Sequence, residues 1–125
     1  MKGSKVKEAE FLLQLEALCT QYNDVYWKLL DGGVWTTQGE GPTIEADLLR
    51  AEDYMGFFEY CEILIKNGAI RERLLMLMFG YKIMCLARNK VLMAATVESP
   101  VYGPYWELFA SIAARANKNS LFRSH

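Results

Sequence analysis

At 125 residues, 52% of them hydrophobic and 23% charged, the chain has the size of one domain and a somewhat larger apolar share than an average soluble domain. Fourteen basic residues face fifteen acidic ones with no long block of either sign, which argues against wrapping a polyanion and so against a nucleic-acid partner. The single histidine, His125, is the last residue, and Cys19, Cys61 and Cys85 lie far apart. That set excludes a disulfide framework, structural zinc, Ser-His and Cys-His nucleophiles, and the Glu-x-x-His ligands of carboxylate-bridged metal centres, and no metal-ligand residues are read.

The first predicted helix runs from Lys5 to Leu30, because Phe11, Leu15, Leu18, Tyr22, Val25 and Leu29 recur at spacings of four and three. Its early apolar stretch, Phe11 to Cys19, is interrupted by Gln14 and Glu16 and makes a poor signal peptide. Gly32-Gly33 stops it, and Val34 to Pro42, carrying Trp35, reads as the one substantial loop. A second helix starts between Thr43 and Asp47 and reaches Lys66, with Tyr54, Phe58, Cys61 and Ile65 on one face; Asn67-Gly68 ends it.

Few residues separate that stop from Arg71, so the third helix is expected to return along the second as an antiparallel hairpin. It is predicted over Ile70 to Val97 and is apolar on nearly every side, with Gly80 marking a close helix crossing. Its most apolar part, Leu74 to Ala87, contains Lys82 and is shorter than the ~20 residues needed to cross a bilayer. Glu98-Ser99-Pro100 closes it, and Gly103-Pro104 opens a fourth helix that buries Trp106, Phe109, Ala113 and Ala116. The expectation is an all-α, four-helix-bundle-like single domain over residues 1–125, with fraying at 1–4 and 119–125.

Chemistry has few places left. Among the acidic residues of the second helix, Glu62 falls inside the edge of the apolar face, about 40° round from Phe58. A carboxylate there could act as an acid or base, or bind a ligand; its commoner role is a boundary ion pair, with Lys66, Arg71, Arg73 or Lys82 as candidate partners. Tyr102, Tyr105 and Trp106, together with Trp35, could line a groove for a small ligand or peptide, though such residues more often plug the ends of a bundle. No residue pattern calls for a cofactor.

Phe57-Phe58-Glu59, followed by Gly68-Ala69-Ile70 and the later Trp106, resembles a pattern in uncharacterised bacterial helical domains of unknown function, over roughly residues 50 to 110. Some of those domains follow a membrane anchor, and no anchor segment is read here. The resemblance implies a helical bundle of bacterial origin and carries no activity and no functional residues.

Taken together, these features favour a non-catalytic interaction module that self-associates, or docks on another protein, through the apolar third helix, with Leu75, Met78, Phe79, Leu86 and Met93 as interface residues. Reduced, core-type cysteines point to a cytoplasmic setting. The alternatives are a small-ligand sensor using Glu62 and the Tyr105/Trp106 region, and, less favoured, an enzyme working with carboxylates alone.

Overall fold

A computed structural model describes residues 2–37 and 41–118, with side chains from residue 5 onward; the expected fraying of 119–125 and the position of His125 lie outside the described residues. The described chain is all-α, with no strand. Its helices are α1 (Lys2–Cys19), α2 (Asn23–Leu29), the single turn α3 (Val34–Thr37), α4 (Glu45–Lys66), α5 (Glu72–Ala87), α6 (Lys90–Ala95) and α7 (Glu107–Lys118). Two 3-10 segments, Thr20–Tyr22 and Gly103–Trp106, lead into α2 and α7.

Two of the predicted helices are divided. The Lys5–Leu30 helix tightens at Thr20–Tyr22, where the Thr20 hydroxyl donates back to the Ala17 carbonyl at 2.7 Å. A 3-10 turn advances three residues per turn instead of 3.6 and so shifts the buried stripe. Leu15, Cys19, Val25 and Leu29 face the core, while Leu18 is left 43% exposed. The Ile70–Val97 helix stops at Ala87 and restarts at Lys90, because the Asn89 side chain accepts the Leu92 N–H at 3.0 Å and caps α6. Within the segment expected as a loop, Val34–Thr37 form the turn α3, and Trp35 is buried.

The second helix follows its sequence signals closely. α4 ends in Asn67 and Gly68, with Gly68 at φ +75°, and the Ala69 and Gly68 amides donate to the Leu64 and Ile65 carbonyls at 2.9 and 3.0 Å. That pair of bonds is a Schellman cap, and its left-handed residue is glycine because a Cβ disfavours positive φ. α4 and α5 carry the aromatic centre of the core. Tyr54, Phe57, Phe58 and Phe79 make ring contacts at centroid distances between 5.0 and 6.2 Å, and Tyr22 stacks on Tyr54 at 5.1 Å.

α7 buries Phe109, Ile112, Ala113 and Ala116 against both α4 and α5, while α2 covers α5 from another direction. This answers the question posed by the apolar third helix. Leu75, Met76, Phe79, Ile83, Cys85 and Leu86 are all buried within the chain, because the break at Asn89 and the packing of α2, α4 and α7 surround α5. Trp106, expected in the buried face of the fourth helix, instead sits half-buried in the 3-10 segment before α7.

Candidate functional site

Glu62 is where the helical wheel placed it, on the inner side of α4, and it is fully buried. Its partner comes from α7, 53 residues away, and not from the four cations nearer in sequence. The Arg115 guanidinium forks onto both carboxylate oxygens, donates to Ser111 Oγ at 2.9 Å, and reaches Glu72 on α5 through Nε. Burial alone pushes the Glu62 carboxyl up, but the hydrogen bonds from Arg115 and Ser111 and the charges of Arg115 and Lys66 outweigh it and hold the pKa below the ordinary value. Arg115 is raised in turn by Glu62 and Glu72. The carboxylate is therefore ionised at neutral pH with both oxygens engaged, the opposite of a poised general acid, and its evident work is to join α4, α5 and α7.

Glu59, one turn earlier, accepts the Phe109 N–H at 3.3 Å near the start of α7, and burial pushes its pKa up. Of the cations expected near Glu62, Arg71 instead forks onto Glu8, and Lys82 lies 3.9 Å from Cys19 Sγ and 4.7 Å over the Tyr26 ring.

The aromatic candidates do not gather into one groove. Tyr102 and Tyr105 stand in solvent at 60% and 78% exposure. Trp35 lies beneath the Lys28 ammonium, 5.3 Å from its ring centre, and lines a depression of about 230 Å³ with Asp31, Cys85 and Arg88. Neither Glu62 nor the Tyr102–Trp106 segment lines that depression.

A larger groove, about 380 Å³, lies elsewhere, where α5, α6 and α7 meet. One wall is Met84 and Ala87 of α5 with Met93 of α6, continued by Val97; the other is the Phe109, Ala110, Ala113 and Ala114 side of α7. Arg88, Glu98 and Asn117 complete the lining. Arg88 is itself tied to Asp31 at 3.0 Å. The groove is apolar between polar groups, and its α7 wall is built of alanines, which permit close approach of another backbone. The methionines opposite can adjust their shape. Of the five expected interface residues, Met93 lines this groove, Met78 is half-buried, and Leu75, Phe79 and Leu86 are spent in the core. Sequence reasoning had no sign of the groove as such, since its two walls lie on helices far apart in sequence that meet through the packing of α7 on α5.

The cysteines are not set up for chemistry. Burial pushes the thiols of Cys19, Cys61 and Cys85 above their ordinary range, so they are protonated at neutral pH and weakly nucleophilic. The fully buried Tyr54 hydroxyl makes no well-formed hydrogen bond and lies beside the Cys19 thiol. Among the described residues no group of three or more His, Cys, Asp and Glu could hold a metal ion, and no helix is long and apolar enough to cross a membrane.

No protein-family model matches the chain, and comparison with curated proteins and with solved structures likewise returns no match.

Proposed function

We propose that the chain is a non-catalytic helical interaction module that seats an apolar helical segment of a partner protein in the groove between α5, α6 and α7. The observation that carries this reading is the groove itself. It is lined by methionines on one side and alanines on the other, and an amphipathic helix needs such a surface to bury its apolar face. The apolar surplus of the predicted third helix survives here, in Met84, Met93 and Val97, after Leu75, Phe79 and Leu86 have been committed to the core. On the same reading, α4 and α5 form the antiparallel hairpin of a bundle-like scaffold, with the five residues 67–71 as its turn.

The engagement of the best-placed carboxylate by Arg115 and the protonated state of the three thiols support a binding role over a catalytic one. The test is titration with a displayed library of amphipathic helical peptides, read by the methyl resonances of Met84 and Met93. Peptides that bind shift both methyls, and Ala110→Glu with Ala114→Glu, at two exposed groove positions, abolishes the shift without unfolding the chain. A library that leaves both methyls unmoved, or binding that survives the double substitution, defeats the groove reading.

A further inference from the structure

α4 is the longest helix, at 22 residues, and its inner faces supply Tyr54, Met55, Phe58, Cys61 and Glu62 to the core. Its outer face has no such partner among the described residues. Leu49, Tyr60 and Ile63 are 55%, 47% and 41% exposed, although each is large and mainly apolar. With Asp53 and Gly56 they recur along α4 at alternating spacings of four and three, which places all five on one seam.

Gly56 stands at the middle of that seam, and nothing among the described residues accounts for it. Its φ is not positive, and a Cβ added there would meet nothing within 4 Å. Glycine is the weakest helix former after proline, so a long helix carries it at a cost in its own stability. Its missing Cβ leaves room for a backbone from outside to approach α4 closely at this point.

The seam also matches its own reverse. Leu49 precedes Gly56 by seven residues and Ile63 follows it by seven. The first turn carries Glu45 and Asp47, and the last turn carries Lys66. A second α4 laid antiparallel across Gly56 sets Leu49 against the partner's Ile63 and the Tyr60 hydroxyl toward the partner's Asp53. It also sets Glu45 beside the partner's Lys66, with the two helix dipoles opposed. An isologous contact of this kind places one patch on both copies and closes at two.

We infer that the outer face of α4 is a two-fold seam on which a second copy of this chain docks antiparallel, with Gly56 at the crossing. The inference shares with the proposed function the premise that the chain acts by association, but it uses a separate surface.

Sedimentation equilibrium of the intact chain over a range of micromolar concentrations tests it. The expected result is a reversible dimer. Gly56→Leu weakens dimerisation at least tenfold while the melting midpoint, taken where the wild type is monomeric, stays equal or rises, because the new side chain meets open space. Glu45→Lys and Lys66→Glu each weaken the dimer, and the two in one chain restore it, as only an antiparallel register allows. A dimer indifferent to Gly56→Leu overturns the seam and leaves the module reading standing. A wild type that stays monomeric at hundreds of micromolar also overturns the seam, whereas the peptide titration alone decides the groove.

Discussion

Glu62 and Glu8 are held in the same way, each by the fork of an arginine from a distant element. Glu62 and Arg115 meet where α4, α5 and α7 join, with side-chain exposures of 0% and 31%; Glu8 and Arg71 meet where α1 reaches the N-terminus of α5, with exposures of 11% and 67%. The chemistry is shared, and the surroundings differ. In the first pair the acid has no access to water, and a third group, Glu72, draws α5 into the network. In the second the guanidinium is largely solvated, so water competes for its hydrogen bonds. Burial, more than geometry, should decide what each pair contributes.

The largest expected effect separates the two directly. Arg115→Met leaves an ionised carboxylate enclosed without a counter-charge and should cost about 3 kcal/mol of unfolding free energy, the lower end for a buried pair because Arg115 itself is partly exposed. Arg71→Met should cost far less. Glu62→Leu combined with Arg115→Met should recover most of the loss, since the desolvated charge disappears with its partner. Urea unfolding at pH 7 measures all four proteins. If Arg115→Met and Arg71→Met lie on the same curve, burial is not what distinguishes the pairs.

A smaller effect appears on acidification. Glu62 has a folded pKa below its unfolded value near 4.3, so its contribution is fully present above about pH 4.3 and is lost as the pH falls through the folded value. Glu59 has the opposite sign. Its folded pKa is raised by burial, so it weighs against the folded state at neutral pH and is relieved as the pH falls. Melting midpoints followed from pH 7 to about pH 3 should therefore fall below about pH 4.3 in the wild type and fall less steeply there in Glu62→Gln, whereas Glu59→Gln should lack a gain that the wild type makes on acidification above about pH 4.3 and run parallel to it below. A Glu62→Gln profile parallel to the wild type would show that the enclosed carboxylate is not the group lost first.

The contrast also shows what a sequence can and cannot carry. Local signals were readable: the end of α4 at Asn67-Gly68 follows from its cap and the inward placement of Glu62 from a 3.6-residue period, while the start at Glu45, which no side chain caps, falls inside the Thr43–Asp47 window. The partner of Glu62 was not readable, because a pairing across 53 residues depends on how α7 crosses α4, and nothing in the residues around Arg115 marks it as the partner. The division of the third helix was missed for a different reason. Asn89 is an ordinary N-cap residue, but it stands between Arg88 and Lys90 with no glycine or proline beside it, and the apolar pattern on both sides looks continuous. The tightening at Thr20–Tyr22 is similarly unmarked. Gly56 was open to notice, as Gly80 was, yet its meaning depends on the empty space around it, which only the packed chain reveals.

The smallest effect tests the solvated pair from its own side. Glu8 does two things for α5: its Oε1 and Oε2 take the Arg71 side chain, and Oε2 also accepts the Arg71 backbone N–H at 2.9 Å, at the residue that precedes the helix. The hydrogen bonds from Arg71 are the main reason its carboxyl titrates below the ordinary range. Glu8→Gln keeps an acceptor for the backbone N–H and gives up only the charge, while Glu8→Ala gives up both. Because Arg71 faces water, the charge is open to screening, and the wild-type advantage over Glu8→Gln should be slight and should shrink further between about 0.05 and 0.5 M salt. The backbone bond is not screened in that way. Hydrogen exchange at the Arg71 amide should therefore be faster in Glu8→Ala than in Glu8→Gln at every salt concentration, even where the two melt together. If Glu8→Gln instead lowers the midpoint as much as Arg115→Met does, and salt leaves the loss intact, the solvated fork acts as the enclosed one does.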